Sequence, residues 1–316
     1  IMIVVGDTNF YRNLVHKNKL YSTESCNSFI KKLKEIENKK GIKKAMSTTV
    51  ARELISHLKD NEDSESYKDC LFASKLLYDH CSEEDNTNYL LPLPESQNAK
   101  SFFHVENKNS IEHQKNISSL LKKISISPDS STISNCKSTI DSVIDFLDQA
   151  EKSLIQEMQC FAKSIDPSFS DWTLFCNDST KRRKYIDYIR NNQFKKDTAT
   201  AYLTALRQDL YSQSIFTGNI CDNHIKQYLE TNKVALKLRI SFFEKFLTKN
   251  DLFIAKNRNF IWDEQIIQCV GKSSSNDNYV LLTDDKMMIG AIIGVFPHNS
   301  SSYYNSFDTY LKALGF

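Results

Sequence analysis

Carboxylates fall at four comparable places in widely separated parts of the chain. Asp7 ends the β-branched run "IMIVVG", and Glu53 lies in the first turn or so of a helix begun by "STTVARELISHL". Asp263 stands at the start of a helix in "NFIWDEQIIQCV", and Asp284 and Asp285 end the apolar run "NYVLLT". In an open parallel sheet the carboxyl ends of the strands share one edge, where ligands bind, so acids at strand ends and helix starts are brought together there. Gathered acids repel one another unless a hard divalent cation neutralises them. Such a site can activate water and stabilise an in-line phosphoryl displacement. Singly, each acid has a plainer role: a helix cap for Asp7, a first-turn acid for Glu53, a turn for Asp284 and Asp285. Capping explains the four together less well.

The elements that must position these acids follow from hydrophobic pattern. "IMIVVGDTN" reads as a buried central strand, "KKAMS" as a second short strand and "NYVLLTDD" as another buried strand. A helix follows the first strand, with Phe29, Ile30, Leu33 and Ile36 at helical spacing. Ser47, Thr48 and Thr49 offer caps to the next, whose Val50, Leu54 and Leu58 share a face. "DLFIAKN" is a short apolar segment before an Asn-rich turn, "KMMIGAIIG" reads as a helix, and "FDTYLKALGF" closes the chain. Between residues 60 and 245 strand signals stop, and "TNYLLPLPESQNAKSFF" reads as a connection. The longest stripe runs from Ile133 to Ile165 through Ile140, Val143, Leu147, Ala150, Leu154, Met158 and Phe161, at steps of three and four. Strand–helix alternation at both ends argues for an α/β fold with a parallel sheet. The stretch between them is too long for a loop. The expected organisation is an α/β domain in two parts, 1–60 and 246–316, around an all-helical insertion, 61–245.

Composition narrows the classes. Seven glycines and five prolines in 316 residues favour long helices over turn-rich β folds. The net charge of +2 means that any polyanion must be held by a local patch. Eight cysteines without a C-x-x-C pair or a histidine cluster speak against zinc and a disulfide framework, and for reduced thiols in a cytoplasmic protein. The apolar opening is too short for a signal peptide, and no apolar run reaches the length of a membrane span.

"VVGDTNFY", "STTVARELISHL", "NRNFIWDEQIIQCV" and "VLLTDDKMM", in that order, resemble the PIN-domain nuclease family. The resemblance implies a three-layer α/β/α sandwich with a central parallel sheet, and a metal-dependent nuclease, mostly acting on RNA, with Mg²⁺ or Mn²⁺ held by acids. Asp7, Glu53, Asp263 and Asp285 match the four family acids as catalytic and metal-binding residues. Asn9 and Thr283 match the polar positions that orient them, and Asp284 takes the variable place. RNA is favoured over DNA as substrate. A toxin or defence role, an inhibitory or regulatory protein partner and a homo-oligomer are what the family suggests. A catalytically inactive nucleic-acid-binding or scaffold protein is the alternative, although such relatives typically lose an acid. The resemblance spans about 60 residues at the start and 70 at the end, and the large helical block departs from it.

Within that block "KRRKYIDYIRNNQFKK" is the most basic window: Lys181, Arg182, Arg183, Lys184, Arg190, Lys195 and Lys196 against Asp187, with Tyr185, Tyr188 and Phe194 interleaved. Cations for phosphates and aromatics for unpaired bases make it the candidate nucleic-acid grip. A solvated helix face with inward tyrosines is the competing reading. "KKDTATAYLTALRQ" faintly resembles the helical core-binding region of tyrosine recombinases, with nothing matching their catalytic domain. The Lys31–Lys44 cluster reads as solvated, with phosphate contacts near the acidic edge as the lesser alternative. His57, His298 and the Met287–Met288 pair need no functional role.

Overall fold

A computed structural model describes residues 2–83, 89–248, 259–271 and 278–316. The apolar runs form its sheet. Strands β1 (Met2–Gly6), β2 (Ile42–Lys44), β5 (Asn278–Leu282) and β6 (Tyr304–Asn305) lie in the order β2-β1-β5-β6, all parallel. The short strands β3 (Met46–Ser47) and β4 (Leu90–Leu91) pair in parallel beside them, and the Ala45 N–H donates to Val4 O (3.0 Å). β1 and β5 are buried along nearly their whole length, as expected of strands covered on both faces.

Sixteen α-helices surround the sheet among the described residues. Those nearest the acids are α1 (Thr8–Asn18), α2 (Thr23–Lys39), α3 (Thr48–Ser56) and α4 (Glu65–Cys81). The middle of the chain adds α5 (Pro94–Asn98), α6 (Lys108–Ile126), α7 (Ser130–Asn135), α8 (Lys137–Ile165), α9 (Trp172–Asn177), α10 (Ser179–Arg190), α11 (Asn192–Ser212), α12 (Asp222–Thr231) and α13 (Lys233–Thr248). The chain closes with α14 (Asn259–Ile267), α15 (Lys286–Val295) and α16 (Phe307–Leu314). No described helix is long and apolar enough to cross a membrane.

The architecture is therefore mixed α/β, mostly helical, with a small parallel sheet. Several boundaries differ from the sequence reading. The segment read as a connection contains β4 and α5, and β6 was not anticipated. Two-residue strands carry no periodicity to detect. Two helices, α1 and α2, fill the place of one after β1. The long stripe is broken at Cys136 into α7 and α8. Asp263 lies in the second turn of α14, not at its start, and Glu53 in the second turn of α3. "DLFIAKN" lies outside the described residues.

One buried cluster joins β1 and β5 to side chains of α1–α4, α6, α8, α10 and α13–α16. A smaller one gathers Phe102, Phe103, Leu203, Leu206, Leu210 and Tyr228. The larger contains a polar knot. Glu37 accepts from Tyr310 Oη (2.6 Å) and contacts His80 Nε2 (2.9 Å), with Lys44 Nζ at 3.9 Å. Tyr11 Oη meets His80 Nδ1 at 3.1 Å. Lys44, expected to be solvated, is thus buried beside a carboxylate.

Candidate active site

The sheet register creates the site. Gly6 pairs with Leu282, and the Asp7 N–H donates to Leu282 O (3.0 Å), so Asp7 and Thr283 leave β1 and β5 side by side. β2 lies on one side of β1 and β5 on the other, so the connections diverge between these strands. Such a switch point opens a crevice at the carboxyl ends. Glycine is required just before it: a Cβ on Gly6 would lie 2.7 Å from both the Phe10 and Tyr11 rings.

Asp7 caps α1, Oδ1 accepting from the Phe10 N–H (2.6 Å). Its Oδ2 is buried without a hydrogen-bond partner. Asp285 caps α15, Oδ1 accepting from the Met287 and Met288 N–H groups (2.8 Å each). Its own N–H donates to Thr283 Oγ1 (3.0 Å). Glu53 projects from α3 and accepts from the Thr8 hydroxyl. α3 is held from behind, since Arg52 Nε donates to His113 Nε2 (2.9 Å) and the Arg52 guanidinium lies 4.4 Å over Phe146. Asp263 rides on α14, which docks through a Phe260–Phe242 stack (3.6 Å) and a Thr49–Gln265 hydrogen bond (3.2 Å).

The electrostatics place the acids in one another's fields. Burial pushes Asp7 up to about 6; Thr283 and the Phe10 N–H oppose this, while Asp284 and Asp285 add to it. Burial pushes Glu53 up to about 7, opposed by Thr8 and Arg12 and aided by Asp7. Asp263 is pushed up to about 9, by burial first and then by Asp285, Glu53 and Asp7. Four acids from the two ends of the sequence therefore meet at one edge. Among the described residues, no three His, Cys, Asp or Glu side chains stand in an arrangement that would hold a metal ion as they are.

The supporting residues differ in part from expectation. Thr283 is fully buried; its Oγ1 accepts from the Asp285 N–H, and its side chain favours ionised Asp7. Asn9 is exposed, and the hydroxyl that orients an acid belongs to its neighbour Thr8. In the first turn of α1 the helical twist points residue 8 inward and residue 9 outward. Asp284 is exposed and accepts from the Phe307 N–H (3.2 Å), tying α16 to the end of β5. Arg12 was missed. One turn beyond Thr8 on α1, it favours ionised Glu53, and its Nε is buried without a hydrogen-bond partner. The i, i+4 spacing from Thr8 was its only sequence signal.

The basic window does not act as one surface. Tyr185 and Phe194 are fully buried, and Tyr188 donates to Asp197 Oδ2 (2.5 Å), so its aromatics pack inward and are not offered to bases. Lys181 pairs with Asp166 (2.7 Å), Arg182 donates to Cys176 O (2.9 Å), and Arg190 pairs with Glu244 (2.5 Å). Arg183 and Lys184 are exposed on α10. Arg190, Lys195 and Lys196 line a separate cavity of about 900 Å³. The recombinase-like segment is α11, whose Thr198, Ala199, Leu203 and Leu206 are buried.

No protein-family model, curated protein or solved structure matches the chain.

Proposed function

We propose that the protein is a metal-dependent nuclease, an endoribonuclease with a PIN-like α/β/α fold interrupted by a large helical insertion. The observation that carries this reading is the meeting of Asp7, Glu53, Asp263 and Asp285 at the switch point between β1 and β5. The donor set is all hard oxygen, which suits Mg²⁺ or Mn²⁺. The partnerless Oδ2 of Asp7 and the protonation forced on Asp263 both fit a site completed by a cation. Asp7 and Asp285 each keep one oxygen for a helix cap and have the other to offer. Half-buried Asp263 and Asp285 must turn for three acids to meet at one ion. A bound divalent cation supplies activation of water and charge stabilisation for phosphodiester hydrolysis. Thr8 and Thr283 orient Glu53, Asp7 and Asp285, and Arg12 adds positive charge near the site.

The second reading is a nucleic-acid-binding protein with this fold and no catalysis, in which the acids, which among the described residues form no ready three-acid arrangement, never gather around an ion. One experiment separates the two. Labelled RNA and single-stranded DNA are incubated with the protein in Mn²⁺, Mg²⁺ or EDTA, alongside Asp7→Asn and Asp285→Asn variants whose folding is verified by thermal melts. The nuclease reading expects RNA cleavage with metal, lost in EDTA and reduced at least about a hundredfold in both variants. Cleavage that survives in EDTA and in both variants overturns it. Binding of RNA without cleavage under any condition selects the second reading.

A further inference from the structure

Three helices turn the same kind of face toward a cavity of about 390 Å³. The faces of α8, α11 and α14 begin at Ala150, Thr198 and Ile261, and each continues at i+3, i+4 and i+7, the spacing of one helix side. Facing helix sides ordinarily carry bulky apolar residues that close the space between them. Here Ser153, Ala201 and Ala205 are too small to do so, and all three are exposed, so the cavity opens to solvent beside them. Asp263 lies on another side of α14 and does not line it.

The charged lining among the described residues is Glu95, Glu157 and Glu264 against Arg239. Arg239 is committed to two of these acids, Nη1 donating to Glu157 (2.5 Å) and Nε to Glu264 (2.7 Å). The excess is negative, which repels an anion and draws a cation. The rings of Tyr202 and Tyr228 stand 5.1 Å apart in the wall, and Asn98 Nδ2 fixes the first by donating to its Oη (2.8 Å). Burial, then Glu95 for Tyr202 and Glu264 for Tyr228, pushes both phenols up, so the rings stay neutral and their faces attract an ammonium group. Leu154 and Ile261 offer apolar surface to methylenes. Thr198 is 4% exposed and its Oγ1 has no hydrogen-bond partner, although a helical threonine ordinarily bonds the carbonyl one turn back. It is the atom that a bound donor would satisfy.

We propose that this cavity binds a short aliphatic polyamine, with Glu95 and the faces of Tyr202 and Tyr228 holding its ammonium groups and Thr198 Oγ1 accepting from one of them. A metal ion would leave the two rings and the apolar wall without a role, and a nucleotide would bring phosphate against three carboxylates. The site stands apart from the acid cluster, and its occupancy does not rest on the nuclease reading.

The test is isothermal titration calorimetry of the full chain with spermidine, at pH 7 and constant ionic strength without divalent cation. Wild type should bind at one site and should give no binding heat with adipate, a flexible chain of opposite charge. Ala205→Trp fills the opening and should weaken spermidine binding at least about tenfold, and Glu95→Gln by about fivefold. Thr198→Val should weaken it by about threefold while raising the melting temperature of the ligand-free protein, since it removes an unsatisfied hydroxyl. Asp7→Asn should bind spermidine as wild type does. Absence of spermidine binding by wild type overturns the proposal, as does wild-type affinity in a folded Ala205→Trp or in Glu95→Gln. A loss in Asp7→Asn as large as in Ala205→Trp also overturns it, because the cation then sits on the acid cluster. Thr198→Val that melts higher with unchanged affinity removes Thr198 from the site. If melts show that Ala205→Trp does not fold, Glu95→Gln decides alone. These outcomes are independent of cleavage, so the polyamine site and the nuclease stand or fall separately.

Discussion

Asp263 is where the mutual field of the acids is felt most. Its folded-state value of about 9 is raised from an ordinary 3.8. A folded acid that holds its proton more tightly than the unfolded chain contributes stability that is present below about 4 and is lost as pH rises toward 9. Glu53 adds the same trend between 4.5 and about 7, and Asp7 between 3.8 and about 6. The groups are coupled and titrate as a set. In EDTA the melting temperature should therefore fall from pH 5 to pH 9. Asp263→Asn should flatten that fall and raise the melting temperature at pH 8.5 by roughly 2–4 °C, followed by thermal melts across the range. Adding Mn²⁺ should reverse the trend, stabilising the wild type more at pH 8.5 than at pH 6, because ligands must be deprotonated to bind. A Mn²⁺ shift in Asp7→Asn as large as in wild type would remove Asp7 from the site. Asp7 and Asp285 were legible as residues because each sits where an apolar run ends, whereas Glu53 and Asp263 lie in second helical turns and stood out only by their order along the chain. Thr8 and Arg12 were not legible, since a hydroxyl and a guanidinium in a helix gain meaning only once the facing helix is placed.

At the scale of elements, the site depends on the anchoring of β1, α1 and α3. The Glu37 knot ties α2, α4, α16 and β2 together beneath α1. Burial opposes the charge on Glu37, but His80, Tyr310 and Lys44 outweigh it and hold the carboxyl below its usual range. Glu37→Gln leaves Lys44 buried without its carboxylate and should destabilise the protein by about 3 kcal/mol. Tyr310→Phe removes one charge-assisted hydrogen bond and should cost about 2 kcal/mol. Chemical denaturation at pH 7 measures both; equal, negligible effects would show the knot to be solvated. Its lysine looked like part of a solvated run because charge spacing cannot reveal burial. The β1 and β5 runs were visible in sequence because burial on both faces leaves an unbroken apolar string. β4 and β6 were invisible because their neighbours, not their composition, make them strands. The apolar stripe of α8 was readable, but its partners were not. Ile144 and Leu147 line the cavity beside Glu53, and Ala150 and Leu154 a second cavity of about 390 Å³.

Across the whole molecule, the helical block and the acid-bearing segments share one core, and one charged link between them is Arg239. From α13 it reaches Glu264 on α14 (2.7 Å) and Glu157 on α8 (2.5 Å). Burial alone would disfavour its charge, but the two glutamates outweigh that and hold it protonated. Glu264 adjoins Asp263, so this trio fixes the helix that presents the third acid, and sequence separation hid it: the partners are 82 and 25 residues from Arg239. Arg239→Met strands two partly buried carboxylates and should destabilise the fold by about 3 kcal/mol. It should also weaken the stabilisation by Mn²⁺ through displacement of α14. Adding Glu157→Gln and Glu264→Gln removes the stranded charges and should recover much of the lost stability. If α14 is positioned by the charge trio, the Mn²⁺ response should stay weakened in that triple variant even as the melting temperature recovers. If apolar docking through Phe260 and Phe242 suffices, both recover together. Thermal melts with and without Mn²⁺ on the wild type, the single variant and the triple variant distinguish these outcomes, and only the first makes the helical block part of the site's geometry.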